Sequence, residues 1–182
     1  MKNLIYLLFV IILLGCSQTE NKTISVSDMN LSLGEQEMGD LSKNQTLLES
    51  PIVMAGETYE IGVGIIAPAK LLIELNGSGV RFEAIVGPCE MNFPGFNPDG
   101  EDSEDNKVEE SAAEAKPDNI FEQIMKSTMQ FFVIGDKEIL WSSDEMKRKD
   151  EPQKVDVDIS GVKKLALVAV AKNGHSIPLK TD

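Results

Sequence analysis

Few residues in this chain are equipped for covalent or metal chemistry. It holds one histidine, His175, one tryptophan, Trp141, and two cysteines, Cys16 and Cys89, against 30 acidic residues. A lone histidine cannot build a typical zinc site, and neither a Ser/Cys-His-acid set nor a phosphate-binding glycine loop stands in recognisable context. Paired carboxylates hydrolyse glycosides when they flank the scissile bond, yet no pair stands apart from the other acids. Asp99, Glu101, Ser103 and Asp105 alternate, with Glu110 beyond them, in the manner of calcium-loop ligands. Glu104, however, sits where the sharp turn of such a loop requires glycine, and a disordered acidic loop is the favoured reading. No catalytic residue is predicted.

Recognition of a sugar without catalysis needs an apolar face for C–H groups and fixed polar groups for hydroxyls. Trp141 is the candidate face, with a place in the core as its alternative. His175 follows Asn173 and Gly174 in an expected loop, either touching a ligand or merely solvated. Arg81 and Glu83 project from the less apolar face of their strand, as ligand contacts or as ordinary solvated charges. Phe93, Pro94 and Phe96 form a small apolar group that either contacts a partner or packs beneath the loop that follows.

These residues must be positioned by elements whose period is mostly two. In residues 80–86, Val80, Phe82, Ala84 and Val86 share one face and Arg81, Glu83 and Ile85 the other, the alternation of a half-buried strand. Residues 130–141 read as two short strands joined at Gly135-Asp136, with the glycine supplying the positive φ of a tight turn. Val155, Val157 and Ile159 alternate with Asp156 and Asp158, and Gly161 ends that run. Residues 165–171 are apolar on both faces and predict a central strand. Short strands divided by Gly, Pro and Asn turns predict an all-β sandwich or barrel. Residues 97–119 are acidic and nearly free of large apolar side chains, which predicts a long loop insertion, and residues 119–128 predict a short helix. Residues 16–45 are mostly polar and read as a flexible tether, with residues 24–33 alternating well enough for a first strand.

The N-terminus carries Lys2, an apolar run of 11 residues at 4–14, then Gly15 and Cys16. The run is too short for a span, which needs about 20 residues, and reads as a secretory signal. Its ending, Leu13-Leu14-Gly15-Cys16, resembles the bacterial lipobox. The resemblance implies removal of residues 1–15, lipidation of Cys16 and a place in the bacterial cell envelope, at an outer membrane or cell surface rather than an inner membrane. Two or more acyl chains would anchor stably where one holds only marginally. Removing 15 of 182 residues takes one basic residue and leaves 16 basic against 30 acidic, a net charge of −14. Phosphate backbones repel such a chain, so nucleic acid is not an expected partner. With Cys16 acylated, Cys89 has no disulfide partner and is expected as a small buried hydrophobe.

Four segments in order resemble the novel putative carbohydrate-binding modules, the NPCBM family. They are YEIGVGIIAPAK at 59–70, RFEAIVG at 81–87, FFVIGDKEILWSS at 131–143 and VDVDISGVKKLALVAV at 155–170. The resemblance implies a galactose-binding-like jelly-roll β-sandwich over residues 46–182, binding galactose-type sugars, in some members with a structural calcium. The sequence departs from the family pattern at polar positions. Ile66 stands for the family histidine, Lys70 or Ala69 for its serine, and the late Asp-His-x-Asp-Trp stretch is shortened to NGHSIPL, which keeps His175. The expected function is a membrane-anchored, non-catalytic carbohydrate-binding lipoprotein. The alternative is a structural or protein-interaction lipoprotein that kept the sandwich and lost the sugar.

Overall fold

The structure, a computed structural model, describes residues 22–36, 39–90 and 127–172. The signal and Cys16, the acidic insertion 97–119, the group Phe93–Phe96, the helix expected at 119–128 apart from its last two residues, and His175 lie outside the described residues.

Eleven strands are described: β1 (Gly34–Gln36), β2 (Ser42–Lys43), β3 (Ile52–Met54), β4 (Glu57–Tyr59), β5 (Val63–Gly64), β6 (Ala69–Glu74), β7 (Arg81–Val86), β8 (Thr128–Gly135), β9 (Glu138–Ser142), β10 (Gln153–Asp158) and β11 (Lys164–Lys172). Five form an antiparallel sheet in the order β1-β6-β11-β8-β9, and β7 pairs with β10 in a second layer. The short pairs β2–β5 and β3–β4 complete the described strands. The fold is an all-β sandwich, as the strand spacing and the family resemblance led one to expect.

Alternation places the core. Leu71 and Ile73 of β6, Val133 of β8 and Leu165 of β11 meet Val155 of β10, Ile159 and Leu41, all nearly inaccessible to solvent. Phe82, Ala84 and Val86 of β7 pack against this group from the second layer. Burying one such aliphatic side chain contributes about 1.5–3 kcal/mol, so these contacts join the layers. As its two-sided apolar pattern requires, β11 is central, flanked by β6 and β8. On β7 the expected division holds for Arg81–Val86, whereas Val80 lies outside the strand and is exposed.

Two local expectations are corrected. Residues 24–33 form no strand but two 3₁₀ turns, Val26–Asp28 and Leu31–Leu33, and the first strand follows at Gly34. The Ser25 and Asn30 side chains accept hydrogen bonds from the N–H groups of Ser27 and Ser32, which offers the backbone a turn in place of a ladder. Val26, Met29 and Leu31 pack on the core and Leu41 lies within it. The tether expected over residues 16–45 is corrected accordingly: its described part, from residue 22 onward, belongs to the domain.

The second correction concerns the β8–β9 hairpin. Its positive φ angles fall on Asp136 (52°) and Lys137 (129°), not on Gly135. Gly135 is instead a buried strand residue, where an added Cβ would lie 2.7 Å from Leu140 Cδ1. Leu140 is the extra residue of a bulge between the pairs Val133–Trp141 and Ile134–Ile139.

Candidate functional site

Arg81 and Glu83 stand on the solvent face of the β7–β10 ribbon because the even-numbered residues between and after them, Phe82 and Ala84, are drawn into the core. The antiparallel register sets Asp156 opposite Glu83 and Asp158 opposite Arg81, with Lys154 opposite Ile85. Arg81 donates twice to one carboxylate, from Nε to Asp156 Oδ1 at 2.7 Å and from Nη2 to Oδ2 at 2.6 Å. Glu83 lies 3.4 Å from Arg81 Nη2, and Lys154 Nζ is 3.9 Å from Glu83 and 3.7 Å from Asp156.

This forked pair fixes the guanidinium plane. The hydrogen bond from Arg81 is the first cause holding the Asp156 carboxyl below the usual carboxylate range, with the charges of Arg81 and Lys154 adding to it. The same bond, with the charges of Asp156 and Glu83, raises the Arg81 guanidinium. All four side chains are well exposed, so their ion pairs add little to stability. What they provide is orientation: a planar donor with N–H groups to spare, a carboxylate acceptor at Glu83, and the exposed apolar side chain of Ile85 next along the same face.

Trp141 belongs to a different surface. It pairs with Val133, which is 3% exposed, and directly opposed residues share a face, so Trp141 points inward and packs half-buried against the core. The structure therefore groups Arg81 with Glu83 but does not bring Trp141 to them. Sequence reading missed Asp156 and Lys154 as their partners. Asp156 was visible only as an outward member of an alternating strand and Lys154 lay just before that run, and no local signal states which strand lies beside which.

The positions where the family pattern departs lie at the other end of the sandwich. Ile66 sits in the loop before β6, where its N–H donates to Gln36 Oε1 at 2.9 Å, while Ala69 opens β6 and is buried. Ala69 pairs with Ala169 of β11, and the same end of the sheet holds the last described residue, Lys172, opposite Thr128. Arg81 is reached instead from the opposite end, where β6 closes at Glu74 beside Lys164. Gly64, the second glycine of the family pair, is required by packing: an added Cβ would stand 2.1 Å from the Gln45 carbonyl oxygen.

Cys89 is partly buried, as expected of a small hydrophobe, and burial pushes its thiol up, away from the reactive thiolate. Among the described residues no group of three or more His, Cys, Asp or Glu is arranged to hold a metal ion.

The NPCBM/NEW2 domain family matches residues 22–95 and 106–177. No curated protein matches the chain. Among solved structures, the CBM51 module from Clostridium perfringens GH95 in complex with methyl-galactose is similar with a TM-score of 0.58 at 20% identity, over 85% of this chain and 90% of that one. The CBM51-2 and INT domains of Clostridium perfringens ZmpB, in complex with GlcNAc, give 0.57 at 17% identity over 80% of this chain. The tandem CBM51 modules of the family 98 glycoside hydrolase from Streptococcus pneumoniae give 0.56 at 17% identity over 84%. This chain spans 27% of the ZmpB structure of CBM51-2 and INT without sugar, 26% of the one with GlcNAc and 42% of the tandem modules.

Proposed function

Because the chain belongs to the NPCBM/NEW2 domain family, we propose that it is a non-catalytic carbohydrate-binding module held on a membrane by lipid on Cys16, with a galactose-type glycan as its ligand. The observation that carries this reading is the family match across both halves of the sandwich, 22–95 and 106–177. The solved CBM51 module in complex with methyl-galactose, similar over 85% of this chain, supports the choice of sugar. On the β7–β10 face, Arg81 and Glu83 offer oriented donors and an acceptor to sugar hydroxyls. His175, which follows β11 in the sequence, remains a proposed contact of this ligand; Trp141, packed inward with Val133 on a different surface, does not.

Calorimetric titration of residues 17–182 with methyl-galactose, galactose-containing oligosaccharides and GlcNAc tests the ligand. Saturable heat with a galactoside is expected. No heat from any of them at millimolar concentration rejects glycan binding. The anchor is tested separately by the mass of the N-terminal peptide, which carries acyl chains on Cys16 and loses them in Cys16→Ser.

One observation favours a second reading, a sandwich that now binds protein. Ile66 replaces the histidine of the family pattern, its neighbour Ile65 is 37% exposed, and Ile61, on the other side of β5, is 67% exposed. That reading expects silent calorimetry in the wild type.

A further inference from the structure

Residues 22–33, the two 3₁₀ turns and the chain leading into them, do more than begin the domain. Val26, Met29 and Leu31 pin this segment to the core. Five residues, 17–21, then separate Cys16 from Lys22. Whatever conformation they adopt, the six steps from Cys16 to Lys22 reach at most about 22 Å, at ~3.3–3.6 Å per residue. A domain of this size has a radius of gyration of about 15 Å and hence a diameter near ~40 Å. The link is therefore shorter than the body it holds, and an acylated Cys16 cannot let the domain turn freely away from its bilayer.

Charge and polarity suit the same surface. The mature chain carries −14, yet residues 22–33 contain only Lys22 and Asp28 as charged groups, and Asp28 is matched by Lys43 Nζ at 2.8 Å. This is a nearly neutral stretch on a strongly acidic body, so anionic headgroups repel it less than they repel the chain as a whole. It also exposes two large aliphatic side chains, Ile24 (55%) and Leu33 (50%), at positions where the neighbouring Val26 and Leu31 turn inward.

We propose that residues 22–33, with exposed Ile24 and Leu33, form the membrane-facing surface of the anchored domain, seated on lipid headgroups. The proposal rests on lipidation of Cys16 as proposed above. The β1 edge of the five-stranded sheet then lies toward the bilayer and the β9 edge away from it, at most about 19 Å further out across four strand spacings.

The test uses the full-length acylated protein in vesicles of phosphatidylethanolamine and phosphatidylglycerol containing a nitroxide-headgroup lipid. In a Cys89→Ala background, a fluorophore is placed at Leu33→Cys or at Ile139→Cys, the latter an exposed residue of β9. Headgroup quenching severalfold stronger at position 33 is expected. Inserting a Gly/Ser spacer of about twenty residues before Lys22 should remove that difference while the protein stays on the vesicle. Equal quenching at the two positions, or stronger quenching at 139, in a protein whose Cys16 acylation is verified by mass overturns the orientation and leaves the anchor standing. A protein without acyl chains overturns both.

Discussion

Asp136 and Lys164 bond to each other in both directions: Asp136 N–H donates to the Lys164 carbonyl at 2.9 Å, and Lys164 N–H donates back to Asp136 Oδ1 at 2.9 Å. The carboxylate also accepts from Lys163 N–H, 3.1 Å from each of its oxygens. The tip of the β8–β9 hairpin is thereby locked to the loop that opens the central strand. Asp136 holds φ 52°, a left-handed conformation that Asp and Asn tolerate better than other side chains. Asp136→Ala should lower the urea midpoint more than Asp136→Asn, which keeps one acceptor and the backbone preference. Equal loss in the two variants would show that the acceptors are not what matters.

The same bonds set a pH dependence. Backbone donation from Lys163 and then Lys164 is the main cause holding the Asp136 carboxyl below its ordinary value, and the Ser160 hydroxyl, followed by the Ser160 N–H, lowers that of Asp158. A carboxyl depressed in the folded state contributes stability that is fully present above the unfolded pKa, about 3.9, and is lost as pH falls through the lower folded value. Urea midpoints should therefore hold steady from neutral pH to about pH 5 and fall below about pH 4. In Asp136→Asn the fall should be shallower, and an unchanged profile would remove Asp136 from the account.

Leu165 is 1% exposed in the middle of the sandwich. Leu165→Ala should cost about 2–5 kcal/mol, through lost transfer energy and the cavity left behind. Chemical denaturation measures it, with Leu72→Ala as the contrast, since Leu72 of the neighbouring strand is 39% exposed and should lose far less.

Gly64→Ala should destabilise more than any other conservative change in the 59–70 segment. Its Cβ would meet backbone atoms, the Gln45 carbonyl oxygen at 2.1 Å and Thr46 Cα at 3.0 Å, and backbone cannot swing aside as a side chain can. Overpacking of this kind costs about 1–3 kcal/mol or more. A thermal midpoint within a degree of wild type would mean that the β2–β5 pair opens at little cost.

These cases show where sequence was legible. Alternation in residues 81–86 and 153–158 placed Arg81, Glu83, Asp156 and Asp158 outward and their neighbours inward, because a two-residue period has one solution once one face is apolar. The two-sided apolar run of 165–171 identified the central strand for the same reason. The hairpin tip was misplaced because glycine is the usual carrier of positive φ. Here a carboxylate accepting from two backbone N–H groups, those of Lys163 and Lys164, holds Asp136 in that conformation, and Gly135 is needed for closeness to Leu140.

Residues 24–33 misled differently. Their alternation is real, but Ser25 and Asn30 compete for the backbone N–H groups that a ladder would need, and such local competition has no periodic signature.

By itself the sequence determined the strand alternation, the acidic balance, the lipobox-like ending at Cys16 and the kinship of four segments to the carbohydrate-binding modules. Those are properties of neighbours along a chain. Only the tertiary structure decided that Arg81 grips Asp156 across the ribbon, that Trp141 turns to the core with Val133, and that Val26, Met29 and Leu31 pack on the core rather than belong to a tether. Each depends on which strands lie side by side and which polar segments the core recruits. That choice is made by burial summed over distant residues, and no single stretch of sequence contains it.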